Sequence, residues 1–175
     1  MKKILIVVDM QNDFVTGSLG SPQAQAIVPA VKAKIDNYRK AGYKVVFTRD
    51  THRPDYLETQ EGKCLPVVHC IEGTEGHSII NELDLKKSVI IDKPTFGSLS
   101  LMDYIRDIFD RDDEIELCGL CTDICVVSNA LILKAKFPET TVTVDAKCCA
   151  GVTEESHKAA LLTMKMCQVN IINGG

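Results

Sequence analysis

A thiol placed where a strand turns into a helix is a candidate nucleophile, and the stretch Leu-Cys-Gly-Leu-Cys-Thr-Asp-Ile-Cys-Val-Val-Ser, residues 117–128, holds one at Cys125. Glu114 to Cys118 has the alternation and β-prone residues of a strand that ends at Gly119, and Ile124, Val127, Leu131 and Leu133 open a helical spacing. Thr122 or Asp123 is a natural N-cap, which puts Cys125 in the first helical turn. Unpaired N–H groups and the helix dipole favour a thiolate there. The same N–H groups can receive the oxyanion formed when a thiolate attacks a carbonyl. Taken alone, Cys125 is better explained as a small buried apolar residue, as most free cysteines are. Its partners decide the matter.

A cysteine hydrolase needs a group that takes the thiol proton and returns it to the leaving group. No histidine ends a strand near Cys125 in the sequence. The candidates are Asp9, directly after the first apolar run, and Lys93, after the third. A carboxylate in an enclosed site has a raised pKa and can shuttle the proton, and a nearby ammonium favours the thiolate. Individually, Asp9 reads as a turn cap and Lys93 as a surface charge; their coincidence with Cys125 at strand ends points to chemistry. A second constellation lies nearby. Asp50 and His52 are two apart at a strand end and project the same way. His69 lies across a long loop, with Asp55, Glu58 and Glu61 between. Two imidazoles and two carboxylates suit Zn²⁺, Mn²⁺ or Fe²⁺ with room for water or substrate, although Asp50 and His52 alone would not make a site.

The elements that must position these residues alternate. Lys3 to Val8 is a continuous apolar run, as in a strand covered on both faces. A helix follows over residues 22 to 41, with Ile27, Val31 and Ile35 on one face, Pro22 at its start and Gly42 at its end. Strands are expected at Tyr43–Thr48, Ser88–Ile91, Thr140–Val144 and Val169–Ile172, and helices at Leu99–Phe109 and Glu154–Met166. Arg53 to His77 has no sustained period, and a loop that long in a compact domain is usually functional. Strands alternating with helices predict a doubly wound α/β fold with a parallel sheet, whose ligands bind beyond the carboxyl ends of the strands. With no repeat or low-complexity linker, residues 1–175 are expected to form one domain.

Composition narrows the function classes. An apolar share of 45% and a charged share of 25% describe an ordinary globular protein, and a net charge of −4 without a basic cluster argues against nucleic acid. The opening apolar run is stopped by Asp9, too short for a signal core, and no run approaches membrane-spanning length. A cytoplasmic protein with no membrane partner is expected. Its cysteines, at 64, 70, 118, 121, 125, 148, 149 and 167, are then reduced thiols. Cys118-x-x-Cys121 straddles a strand end, lacks a second pair and is assigned no metal. Cys148 and Cys149 receive no role.

Five segments carry a resemblance: Asp9-Met10-Gln11-Asn12-Asp13-Phe14, Asp50-Thr51-His52, His69-Cys70-Ile71-Glu72-Gly73-Thr74, Lys93-Pro94-Thr95-Phe96 and Gly119 through Val126. Together they resemble the isochorismatase-like cysteine hydrolases, most of all the nicotinamidase/pyrazinamidase branch, over nearly the whole chain. The resemblance implies a three-layer Rossmann-like α/β/α fold with a six-stranded sheet in the order 3-2-1-4-5-6. It makes Asp9, Lys93 and Cys125 the catalytic triad. It implies an oxyanion hole from the backbone N–H groups of Cys121 and Cys125, with a cis peptide at Leu120–Cys121. It makes Glu61 the third ligand of a metal held by Asp50, His52, Glu61 and His69, with zinc first and manganese or iron as alternatives. Phe14 and Phe96 are expected as ring-stacking walls. Where nicotinamidases often carry an aromatic residue before the proline that precedes the metal histidine, this chain has Leu65 before Pro66. The expected activity is hydrolysis of a small carboxamide, nicotinamide first, by a homo-oligomer. A relative acting on another carboxamide or ureido compound, an isochorismatase-like hydrolase without metal, and a small-molecule binding protein on the same fold remain open. Isochorismatase itself lacks the cysteine nucleophile, so Cys125 argues against it, and an intact triad is not something a binding module requires.

Overall fold

The computed structural model describes residues 2–110 and 113–174. Its centre is a parallel sheet of six strands in the order β3-β2-β1-β4-β5-β6. The strands are β1 (Lys3–Val8), β2 (Lys44–Asp50), β3 (Val89–Lys93), β4 (Glu114–Leu120), β5 (Val142–Ala150) and β6 (Asn170–Ile172). β1 is the keystone: Ile4 through Val8 are almost wholly buried, as a strand covered on both faces must be. It pairs with β2 on one side and β4 on the other, with Val7 opposite both Phe47 and Cys118.

Helix α1 (Asn12–Val15) is one turn, and α2 (Pro22–Lys40) crosses β1, β2, β4 and β5. α2 starts where Ser21 accepts the Ala24 N–H, with Pro22 at the first helical position, and it buries Ile27, Val31 and Ile35 as their spacing predicts. α3 (Gln60–Cys64) lies in the long loop. α4 (Leu99–Ile108), α5 (Val127–Lys136) and α6 (Glu154–Met166) pack in sequence, α4 on α5 and α5 on α6. Because parallel crossovers are right-handed, the reversal of strand order after β3 places these three opposite α2. The switch point falls between β1 and β4, where ligands bind in doubly wound sheets. Among the described residues, no helix is long and apolar enough to cross a membrane.

Three local expectations need correction. β4 runs on through Gly119 to Leu120. Gly119 has φ +117, and a Cβ there would lie 2.1 Å from the Val8 carbonyl oxygen, so only glycine lets the two strand ends approach this closely. β5 extends to Ala150, well past Val144, and its register jumps from Leu117↔Val144 to Gly119↔Cys149. That irregularity hides the strand from a period-two reading. Finally, neither Thr122 nor Asp123 caps a helix. Residues Thr122–Val126 form a π-helical turn ahead of α5, the Thr122 hydroxyl meets His157 Nδ1 at 2.7 Å, and the Asp123 carboxylate accepts the Val152 N–H.

Candidate active site

The carboxyl ends of β1, β2, β3 and β4 deliver Asp9, Asp50, Lys93 and the turn bearing Cys125 to one place. Lys93, the last residue of β3, is completely buried. Its ammonium lies 2.7 Å from Asp9 Oδ2, 3.2 Å from Asp50 Oδ1, 3.1 Å from the Thr95 carbonyl and 3.3 Å from Cys125 Sγ. Asp9, with a left-handed backbone at φ 47, is held through Oδ1 by the Thr48 hydroxyl at 2.6 Å. Its buried Oδ2 touches the Lys93 ammonium without the alignment of a hydrogen bond. The pair is therefore ionic, and Oδ2 keeps a lone pair for another proton. The Lys93 ammonium brings Asp9 and the Cys125 thiol together, 2.7 Å from the one and 3.3 Å from the other.

Burial governs the proton positions. It pushes the Cys125 thiol well above its ordinary value, and the Asp9 carboxylate adds to this against the opposing Lys93 charge. A resting thiolate, expected from the helix dipole alone, is therefore not what the site favours; a protonated thiol beside a proton acceptor is. Burial likewise raises Asp9, although Lys93 works against the rise. For Lys93, burial works to lower the pKa, but the Asp9 and Asp50 carboxylates outweigh it and hold the ammonium charged. Such an arrangement can pass a thiol proton to a carboxylate as the sulfur attacks, and return it later.

Asp50 links this trio to the second constellation. Its Oδ1 faces Lys93, while Oδ2 lies 2.9 Å from His52 Nε2 and 3.6 Å from His69 Nε2. Burial works to raise its pKa, but the contacts with His52 and His69 and the Lys93 charge override that and hold it ionised. Glu61 Oε1 completes the group at 3.6 Å from His52 and 3.9 Å from His69. α3 brings it there: Thr59 caps the helix, and Gly62 lets it lie on the Tyr56–Leu57 backbone, where a Cβ would sit 2.0 Å from the Tyr56 carbonyl. All four donor atoms fall within 4.8 Å of one another, and among the described residues this is the one cluster suited to a metal ion. The donors fit a divalent cation. Two carboxylates balance its charge, and His69 Nδ1, 2.7 Å from the Val67 carbonyl, carries the ring proton and so leaves Nε2 free to coordinate.

Both constellations open on one cavity of about 440 Å³, whose lining includes Asp50, Glu61, His69, Cys121 and Cys125 together with Phe14 and Phe96. Phe14 also packs its ring against His69. The Leu120–Cys121 peptide is cis, as the resemblance implies.

Several supports escaped the sequence reading. Gln11 is fully buried and clamps β2, donating to the Asp50 and His77 carbonyls and accepting the Asp50 N–H. Asn129 donates to the Cys125 and Phe96 carbonyls and accepts the Ser98 N–H, tying the cysteine turn to the loop after Lys93. Tyr56 wedges its ring against both His52 and His69. Asp13, inside the first motif, accepts the Cys70 N–H at 2.7 Å and pins the His69 segment. The signal for Gln11 and Asp13 lay in that motif; Asn129 and Tyr56 had none that periodicity could supply. The other histidines serve elsewhere: His77 pairs with Thr51, and His157 with Thr122.

The family model of the isochorismatase domain matches residues 3–174. The chain belongs to this family. It is 26% identical over 187 residues to the nicotinamidase of Saccharomyces cerevisiae, a match covering 82% of this chain and 86% of the yeast protein. The crystal structure of the Pyrococcus horikoshii pyrazinamidase in complex with zinc superposes with a TM-score of 0.85 at 28% identity, covering 98% of this chain and 99% of that one. The N-carbamoylsarcosine amidase of Thermoplasma acidophilum superposes with a TM-score of 0.83 at 25% identity, covering 99% and 97%.

Proposed function

We propose that this chain is a metal-assisted cysteine amidohydrolase that converts nicotinamide and water to nicotinate and ammonia through a thioester on Cys125. That it is a hydrolase of amide bonds follows from its family and its nicotinamidase relatives; the substrate, the thioester and the residue roles are the proposal. One observation carries it: a buried lysine ammonium 3.3 Å from Cys125 Sγ and 2.7 Å from Asp9, beside a cavity that Cys125 lines together with Asp50, Glu61 and His69 of the four-donor cluster.

In the proposed reaction Asp9 Oδ2 takes the thiol proton while the sulfur attacks the carboxamide carbon. Lys93 stabilises the developing thiolate and holds Asp9 in place. The backbone N–H groups of Cys121 and Cys125 receive the oxyanion. Asp9 then returns the proton to the nitrogen, the C–N bond breaks, and ammonia leaves a thioester. Asp9 next deprotonates a water that attacks the thioester, and the carboxylate departs as the thiol is restored. Phe14 and Phe96 flank the ring. Asp50, His52, Glu61 and His69 would hold a divalent metal, zinc before manganese or iron, which would supply a Lewis acid for a pyridine nitrogen. The thiol already provides the nucleophile, so the sulfur chemistry needs no hydroxide from the metal.

The likeness to an N-carbamoylsarcosine amidase supports a second reading, hydrolysis of a ureido compound. Ammonia release from nicotinamide, pyrazinamide, benzamide and an N-carbamoyl amino acid separates the two. Nicotinamide is expected to turn over best, chelation to raise KM for the pyridine substrate more than for benzamide, and Cys125→Ala to lose at least about a thousandfold in kcat with its fold intact. Turnover of the ureido compound in place of nicotinamide would transfer the assignment. Near-normal activity in Cys125→Ala would sink the thioester.

A further inference from the structure

Three features of the cavity leave apolar room beyond a small flat ring. Its volume, about 440 Å³, lies in the range of about 300–1,000 Å³ that buries a drug-sized molecule. Its reactive and metal-binding groups are confined to Asp50, Glu61, His69, Cys121 and Cys125, while Leu19, Ala24, Leu65, Ile124 and Val152 supply apolar wall beyond them. Its rim is apolar and wet: Val152 is 64% exposed, Phe96 42% and Leu65 38%. Large apolar side chains gathered at a mouth mark a surface that a ligand covers. An aromatic residue at position 65 would occupy some of this space; Leu65 leaves it open.

We infer that the site takes pyridine carboxamides carrying an apolar substituent, of about butyl or phenyl size, on the ring edge opposite the carboxamide and ring nitrogen. This rests on the amidase reading and specifies its substrate. With the carboxamide at Cys125 and the ring nitrogen toward the four-donor cluster, the remaining edge is the one free to face the apolar wall. Leu65 and Val152 then cover the substituent instead of standing in water. Each methylene buried in such a pocket contributes discrimination of about tenfold or more, so a four-carbon chain is a sensitive probe.

The test compares kcat/KM for nicotinamide with its 5-methyl, 5-butyl and 5-phenyl derivatives, using the metal-loaded enzyme. It is paired with calorimetric titration of the same compounds into Cys125→Ala, which reads binding without turnover. Expected are a rise of at least tenfold from nicotinamide to the butyl or phenyl compound in both measurements, and loss of most of that gain in Leu65→Trp and Val152→Trp. Circular dichroism melts show whether those variants fold; if one does not, the other, or Leu65→Phe, carries the comparison. Turnover of nicotinamide with no gain on substitution overturns this inference and leaves the amidase reading standing. Graded binding of the substituted compounds with no ammonia released from any of them overturns the amidase reading and leaves the pocket assignment standing.

Discussion

Two clusters of buried charge lie in this sheet, and they behave differently. One joins Asp9, Asp50, Lys93 and Cys125 at the carboxyl ends of the strands. The other lies mid-sheet under α2, where Lys34 bridges Glu116 and Asp145 and Tyr38 donates its hydroxyl to Glu116. The mid-sheet cluster is closed and satisfied. Asp145 also accepts the Lys147 N–H and an amide proton of Asn173, and its carboxyl is held below the ordinary range because the Lys34 and Asn173 contacts overcome burial. At the sheet end, Asp9 is instead pushed upward by burial, its Oδ2 lacks an aligned hydrogen bond, and a thiol waits beside it. Buried charge by itself therefore does not mark a site. A buried group left with proton-accepting capacity, at the end of a cavity, does.

Matched substitutions test that distinction. Lys93→Met and Lys34→Met each remove the cation between two carboxylates, which for a buried pair costs about 3–5 kcal/mol, or roughly 6–20 °C in Tm for a chain of this size. Lys34 is slightly more exposed than Lys93, so its loss falls toward the lower end. Turnover should separate them. Lys93→Met is expected to lose amidase activity altogether, whereas Lys34→Met keeps the kcat of the folded fraction. Thermal melts with kcat normalised to folded protein supply the check; an equal loss of kcat in both variants would show that the distinction is not functional.

The sequence made the first cluster readable and left the second invisible, for a physical reason. Strand ends are announced locally, by an apolar run stopping at Asp9 or by Arg49-Asp50-Thr51-His52 closing β2, and topology brings such ends together. Helix α2, the strand cores and the doubly wound class were readable on the same grounds; the strand order came from the resemblance. What local pattern cannot announce is a partner supplied by tertiary structure. Thr122 looks like an N-cap until His157 arrives from α6. Glu116 and Lys34 look like solvated charges until α2 lies across β4. Burial of the Cys125 thiol, which pushes its pKa up, is likewise a property of the assembled sheet end.

The two clusters should also differ toward metal ions. Zinc binding the folded chain at a hundred times its Kd adds about 2.7 kcal/mol, or roughly 5–11 °C in Tm. The gain is expected in the unsubstituted protein and in Lys34→Met, and is expected to vanish in His52→Ala. Differential scanning fluorimetry with and without chelator reads it directly. Retention of the full shift in His52→Ala would mean that the ion binds elsewhere.

The finest comparison deletes one hydroxyl from each cluster. Tyr38 donates to Glu116 mid-sheet, and Thr48 donates to Asp9 Oδ1 at 2.6 Å and receives the Asp9 N–H at 3.3 Å. Tyr38→Phe and Thr48→Val each remove hydrogen bonding to a buried carboxylate while keeping most of the side-chain volume. Both are expected to cost about 1–2 kcal/mol, since bonds to charged groups are worth more than neutral ones. In Tyr38→Phe the carboxylate stays fixed by Lys34, nothing near Cys125 moves, and kcat should hold. In Thr48→Val, Asp9 loses the contact that fixes its free oxygen toward the thiol. A reacting group misplaced by about 1 Å can cost about a hundredfold, so a fall in kcat of tenfold or more is expected with KM little changed. Equal stability losses with unequal kcat would tie the Thr48 bond to the orientation of the base, whereas a Thr48→Val enzyme as fast as Tyr38→Phe would remove Asp9 from the proton path.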